Sequence, residues 1–434
     1  MAEKDCVSPL GSPLEKAFRS SLEGRRQKGN FRALTLPKPN QVDFSSNDFL
    51  SLSTSNLLKT AFKKELEKSD RPLGSTGSRL LDGNSEYAEE LEKEIANFHG
   101  AEAGLLFNSG FDANSAFFSS VPQPGDLIIY DSLIHASVHE GMRLSRAAQR
   151  IPFRHNSVQD LSTILRRCLQ ESPSLRDGNS SVIIAVESIY SMDGDICPLA
   201  SLVSTVEEIL PKGNGHIVVD EAHSTGVLGH QGGGLVSQLG LEKKVFARLH
   251  TFGKALGAGT GAIILGSSVL RDYLINYGKP LIYSTFLSFP ALVAVRASYG
   301  LLMGGQTTFL QDRLFANISL LHTELIMAAR NSSSMRSLIT VGAECPQTPI
   351  FAVFTSDPKW LAKSLQERGM MVRAIMPPTV PIGTARVRVC LHGGNTEEQI
   401  RALVQGMVGW AEAQASEKAV DAEAQSFAPL TARL

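Results

Sequence analysis

Between about residues 60 and 300 the chain carries brief, nearly continuous apolar runs separated by helix-length stretches: Gly104–Phe107, Leu127–Tyr130, Val182–Val186, Ile217–Val219, Val245–Leu249 and Ala262–Leu265. A strand with one wet face alternates apolar and polar residues, and these runs do not. Both of their faces are therefore buried, which is the condition of a parallel or mixed sheet covered by helices. Strands alternating with helices read as βαβ units, so the expected class is α/β, a mostly parallel central sheet with helices on its faces. Ligand-binding side chains are then expected at the carboxyl ends of the strands. Beyond residue 300 the pattern becomes that of a smaller α+β domain, with helices over Asp312–Arg330, Pro358–Arg368 and Thr396–Ala413 and strands over Pro349–Phe354 and Ala385–Cys390. The division expected is an N-terminal arm (1–55), a large domain (56–300), a small C-terminal domain (301–414) and a tail (415–434). Leu14, Phe18 and Leu22 give the arm a short amphipathic helix, whereas Ala415–Pro429 is Ala/Glu/Gln-rich and reads as a loose tail.

Charge excludes some partners. The 42 Lys and Arg residues balance 43 Asp and Glu, without the clustered basic excess that neutralises phosphates, so no nucleic acid is expected. No apolar run approaches the ~18 residues of a membrane span. Five scattered cysteines form neither a CxxC pair nor a metal-ligand spacing, and their odd number argues for reduced thiols and an intracellular compartment.

The strongest chemical signal is Ile217-Val218-Val219-Asp220-Glu221-Ala222-His223, a buried strand that ends in a carboxylate. An acid there is costly unless it meets a cation. The next run leads into Thr251-Phe252-Gly253-Lys254, which brings a lysine to the same crevice. A lysine amine tuned by burial is a carbonyl nucleophile, and pyridoxal phosphate needs such a lysine, an acid for its pyridine nitrogen and a cup for its phosphate. Asn108-Ser109-Gly110-Phe111 follows a strand and opens a helix, so its backbone N–H groups could form that cup, with Thr251, Ser284 and Thr285 as further donors. Each fragment alone has an ordinary reading: Ser-Gly as a helix cap, Asp220 as a structural pair, Lys254 as a solvated base. Rival motifs fail on context. Gly257–Ala262 matches a dinucleotide-binding G-x-G-x-x-A but precedes a strand instead of opening a helix. Thr251–Lys254 lacks the companions of an S-x-x-K nucleophile pair. His135, His139 and Glu140 lack a third downstream ligand, so no metal is expected.

Over nearly its full length the chain resembles the α-oxoamine synthases, fold-type-I pyridoxal-phosphate enzymes that join an amino acid to an acyl-CoA with decarboxylation. The resemblance rests on Asp43–Leu50, Gly74–Arg79, Asn108–Asn114, His135–Ser137, Ser191–Asp195, Asp220–Gly226, Thr251–Lys254 and Tyr283–Thr285, in the family's order and approximate spacing. It implies Lys254 as the lysine bonded to the cofactor aldehyde, Asp220 as partner of the pyridine nitrogen, His223 as donor to the ring hydroxyl oxygen and His135 as the group stacked on the ring. Ser191 would lie near the ring hydroxyl, Glu187 and Asn47 would line the site, and Thr251 would hold the phosphate together with the Ser109, Gly110 and Phe111 cup. Ser284 and Thr285 would reach the phosphate of a neighbouring subunit, which implies a homodimer with shared sites.

Pro377–Arg388 most resembles the branch of the family that condenses L-alanine with pimeloyl-CoA in biotin synthesis. Within that run Arg388 matches the arginine that grips the amino-acid carboxylate, a task suited to a bidentate guanidinium. Arg386, two residues earlier on the same strand face, is the reserve. Arg32 resembles a residue near the acyl end. Departures at Thr76, Arg79 and Phe286–Phe289 bear on acyl length, so a family enzyme using glycine, serine or a longer acyl-CoA is the competing expectation. An inert partner subunit is the non-enzymatic one, and the intact Lys254 motif speaks against it. The last residues, Ala432-Arg433-Leu434, are a conservative variant of the Ser-Lys-Leu peroxisomal address, so a peroxisomal rather than cytoplasmic location is expected. A fluorescent protein fused ahead of the chain should enter peroxisomes; a cytosolic signal with the C-terminus free would contradict the expectation.

Overall fold

The structure is a computed structural model and describes residues 12–29, 31–36 and 38–426, so the terminal Ala432-Arg433-Leu434 lies outside the described residues. The chain forms two units, 1–41 and 42–434. In the first, helix α1 (Pro13–Gln27) starts at a capping box in which the Ser12 and Glu15 side chains each accept the other's backbone N–H. Its Leu14, Phe18 and Leu22 stripe is exposed, as is Arg32.

The second unit is built on seven strands: β1 (Ala103–Phe107), β2 (Leu127–Asp131), β3 (Gln149–Phe153), β4 (Val182–Glu187), β5 (Gly215–Asp220), β6 (Ala247–Thr251) and β7 (Ala262–Gly266). They lie in the order β1-β7-β6-β5-β4-β2-β3. Neighbours are parallel except at β7, which runs antiparallel to both β6 and β1. All six residues of β4 are buried, as its unbroken apolar run requires. Alternate residues serve opposite faces. Ile184, Val186, Ile217 and Val219 join one apolar layer with Leu202 and Val206, while Ile183, Ala185 and Val218 join another with Phe117, Phe118 and Leu274. The sheet thus has a core on each side.

Strand β3 has no counterpart among the expected runs. Gln149, Arg150 and Pro152 are exposed because β3 is the sheet edge, where polar residues and proline are tolerated. Two helices begin just past strand ends: α2 (Gly110–Ser120) after β1 and α3 (Ala136–Arg143) after β2.

A separate antiparallel sheet is formed by β8 (Ile350–Phe354), β9 (Arg373–Ile375) and β10 (Arg386–Cys390), with β10 in the middle and wholly buried. Helices α4 (Thr308–Asn331) and α5 (Glu397–Ser426) supply Leu314, Ile318, Leu321, Leu403 and Met407 to the core beneath it. Val42–Asp43 pairs with Met370–Met371, and the Phe44 carbonyl accepts the Cys390 N–H at 2.8 Å, which ties the segment before Asn47 to β10. The expected loose tail from Ala415 is corrected: α5 continues to Ser426. Ala, Glu and Gln are strong helix formers, and a helix already nucleated can extend without an apolar face. Among the described residues no helix is long and apolar enough to cross a membrane.

Ile184 is completely buried in the middle of the sheet. Ile184→Ala should therefore cost about 2–5 kcal/mol, seen as a lower urea midpoint; an unchanged midpoint would contradict this account of the core.

Candidate active site

The carboxyl ends of β2, β4, β5 and β6 converge on one cavity of about 350 Å³, lined by Asn47, Ser109, Gly110, Phe111, Asn114, His135, Ser137, Glu187, Asp220, Ala222, His223, Thr251, Gly253, Lys254 and the loop 259–261. Parallel strands end their ladders together, so the residues just past them meet although they lie far apart in the chain.

Glu187 and Asp220 are register partners on β4 and β5, which places two carboxyl groups side by side. Burial pushes the Glu187 pKa well up, and the Asp220 charge adds to the effect. Asp220 is held by the Asn114 amide at 2.9 Å and the Ala222 N–H at 2.9 Å. The same Asn114 Nδ2 donates to Ser137 Oγ at 2.9 Å, and Ser137 in turn sits 2.8 Å from His135 Nδ1. Because His135 Nδ1 also accepts the Ser137 backbone N–H at 3.2 Å, the ring proton belongs on Nε2. Burial pushes the His135 pKa down, and the ring is neutral at pH 7.

Lys254 Nζ lies 3.0 Å from His223 Nε2. Burial lowers the lysine pKa against the pull of Asp220 and Glu187, and Arg388 lowers it further. Burial and the lysine charge likewise push His223 well below the ordinary histidine range. His223 Nδ1 is buried without a hydrogen-bond partner among the described residues.

The anion-binding end is the start of α2. Ser109 acts as its cap, accepting the Asp112 N–H at 3.0 Å and donating to the Asp112 carboxylate at 2.9 Å. Its hydroxyl is thus engaged in the ordinary capping role, while the Gly110 and Phe111 N–H groups are the first-turn donors without intrahelical acceptors. Gly110 packs so tightly on Thr251 that an added Cβ would lie 2.6 Å from Thr251 Cγ2. The glycine-rich loop discounted as a dinucleotide motif does enter β7, yet its Gly259–Gly261 segment forms a wall of the cavity.

Arg388 and Arg386 leave the same face of β10 but have different surroundings. Arg386 forms an ion pair with Asp193 and lies 4.8 Å over the Phe354 ring. Arg388, only 7% exposed, donates to the Ser191 carbonyl at 2.6 Å and to Asn47 Oδ1 at 2.9 Å. Among the described residues it makes no ion pair. A buried guanidinium facing only neutral acceptors is the one suited to an anionic ligand. Ser284 and Thr285 do not line this chain's cavity; the Thr285 side chain is exposed and its carbonyl accepts Asn108 Nδ2 at 2.7 Å. Arg32 belongs to the other unit. Asn114 and Ser137 were quoted only as parts of motifs, without roles. Their positions on α2 and α3 show that they orient Asp220 and His135, which no spacing along the chain could reveal.

A family model for aminotransferases of class I and II matches residues 39–407. The 8-amino-7-oxononanoate synthase of Emericella nidulans is 51% identical over 408 residues, covering 94% of this chain and 98% of that protein. The chain belongs to the α-oxoamine synthases. Within this pyridoxal-phosphate-dependent family it also resembles the aminoacyl transferase sphA of Aspergillus fumigatus, 42% identical over 85% of this chain and 81% of that one. The serine palmitoyltransferase of Sphingomonas wittichii shares the fold with a TM-score of 0.77 at 25% identity, covering 94% of this chain and 100% of that one.

The cavity's donors and acceptors fit pyridoxal phosphate: an amine of lowered pKa at Lys254, a carboxylate at Asp220 and free N–H groups at the start of α2. Because burial lowers the Lys254 pKa, the rate at which apoprotein reacts with pyridoxal phosphate should rise with pH and level off below the ordinary lysine pKa of about 10.4. A profile still climbing at that pH would show an ordinary, solvated lysine.

Proposed function

We propose that the chain catalyses the 8-amino-7-oxononanoate synthase reaction: L-alanine and pimeloyl-CoA condense to 8-amino-7-oxononanoate, releasing CoA and carbon dioxide. The observation that carries this reading is the 51% identity to the Emericella nidulans enzyme along 98% of its length. The lysine, acid and unpaired arginine assembled above are consistent with it.

Pyridoxal phosphate, when bound, supplies the electron sink for the pair left at the amino acid's Cα. The protein does the rest by position and charge. Asp220, fixed by Asn114 and Ala222, would face the pyridine nitrogen and keep a proton there. Lys254, its pKa lowered by burial, would hold the cofactor at its aldehyde carbon and would be the base for the amino acid's Cα proton. Neutral His135 would present an uncharged ring face to the cofactor ring. His223 donates to the ring hydroxyl oxygen. Arg388 grips the amino-acid carboxylate and leaves the Cα–H as the bond to be broken, until the new carbon–carbon bond to the acyl group makes loss of carbon dioxide favourable. The N–H groups of Gly110 and Phe111, with Thr251, hold the phosphate. Ser284 and Thr285 complete that cup in a second copy of the chain, so the active form is a homodimer.

A second reading has a specific observation behind it, the 42% identity to the Aspergillus fumigatus aminoacyl transferase. Arg79 lies 4.8 Å over the Phe286 ring, joining two of the positions at which the sequence departs from the branch pattern. Such packing bears on which acyl chain is accepted. Turnover of L-alanine with pimeloyl-CoA above glycine or L-serine, and above palmitoyl-CoA, supports the first reading; the opposite preference supports the second. Lys254→Ala should lower multiple turnover by at least about 10²–10⁴-fold, the usual worth of an acid–base group, and full turnover would refute the lysine's role.

A further inference from the structure

His155, just past the edge strand β3, lies outside the cavity lining, yet both of its ring nitrogens face carboxylates. Nδ1 is 2.8 Å from Asp131 and Nε2 is 2.6 Å from Asp195. Each nitrogen can satisfy a carboxylate only as a donor, so the ring is an imidazolium. Burial lowers its pKa, but the hydrogen bonds to Asp131 and Asp195 outweigh this and raise it to about 10. Asp131 is completely buried at the end of β2 and is anchored by the Leu133 and Asn156 N–H groups at 2.8 Å each. Asp195 has a second grip from Asn156 Nδ2 at 2.6 Å. The Tyr190 ring closes the group, edge to face with His155 at 4.4 Å.

Asp195 belongs to a turn closed by the Ile189–Ile196 bridge and by Gly194 N–H bonding to the Tyr190 carbonyl at 2.8 Å. Residues 191–194 of this turn meet the small sheet or the residues leading into it. Ser191 accepts from Arg388 Nε, Asp193 pairs with Arg386, and the Gly194 carbonyl accepts from Thr348. Gly194 has φ +77, and an added Cβ would overlap the Ile350 carbonyl, so the turn is seated directly on β8. A rigid path therefore runs from β2 and β3 through His155 to the turn and on to Arg388.

We propose that His155 is a positioning residue for substrate: clamped between Asp131 and Asp195, it fixes the turn whose Ser191 carbonyl aims Arg388 at the amino-acid carboxylate. This rests on the reading of Arg388 as the carboxylate's partner. The charges balance as one cation between two anions, the buried Asp131 and the partly exposed Asp195, with the second anion also met by Asn156. Loss of the cation leaves Asp195 repelled by Asp131 and the turn free to shift.

The test titrates holoenzyme with L-alanine in the absence of acyl-CoA and follows the cofactor's absorbance. His155→Gln is compared with Asp195→Asn, which keeps the side-chain shape and serves if the first variant does not fold. In either variant Kd for L-alanine should rise about 10- to 100-fold, with KM for pimeloyl-CoA within about twofold and the resting absorbance unchanged. The double variant His155→Gln/Arg388→Ala should bind L-alanine no more weakly than Arg388→Ala alone, because both act through one group. Additive weakening, or equal effects on both substrates, would overturn the proposal. If Arg388→Ala weakens L-alanine binding and neither turn variant does, the positioning role alone is overturned. If Arg388→Ala binds L-alanine like the parent enzyme, the carboxylate reading falls and the proposal with it.

Discussion

The contact between Lys254 and His223 beside Asp220 and Glu187 is possible only because the surroundings of four ionisable groups decide their charge for them. Side by side in water the lysine and the two carboxyl groups would be largely charged. At the end of a buried sheet, desolvation lowers the pKa of Lys254 and His223 and raises that of Glu187, while Asn114 and the Ala222 N–H hold the Asp220 side chain. The sheet must be covered on both faces to do this. Its two apolar layers are thus a condition of the chemistry as well as of stability.

That arrangement also explains the division of labour between the two sheets. The parallel sheet gathers groups whose protonation is set by burial. The small antiparallel sheet contributes a strand with two arginines two residues apart, one paired with Asp193 and one facing neutral acceptors. The same turn, Ile189–Ile196, touches both. The cavity of the parallel sheet and the buried Arg388 are linked at this point, and His155 sits at its root.

Much of the fold was legible because the central strands carry unbroken apolar runs. The exceptions have physical reasons. Strand β3 is an edge with exposed Gln149, Arg150 and Pro152, so it lacks the apolar signal that marks its neighbours. Helix α5 runs on to Ser426 through residues whose helical preference is intrinsic rather than periodic. Among site residues, Lys254, Asp220, His223 and His135 could be named because each follows a strand-like run in a recognisable motif. Asn114, Ser137 and His155 could not be given roles. Their partners lie on other strands or helices, and a hydrogen bond between distant residues leaves no mark in one sequence.

By itself the sequence determined the α/β class, the need for a buried acid to meet a base, and the resemblance to α-oxoamine synthases, since all three depend on residue types and order along the chain. Tertiary structure alone decided which of two arginines on one strand face is left without a carboxylate. It also decided that the Ser109 hydroxyl caps its helix, and that Asn114, Ser137 and His155 serve as orienting groups. Those distinctions depend on partners brought together from separate strands, and packing, not order along the chain, selects a partner.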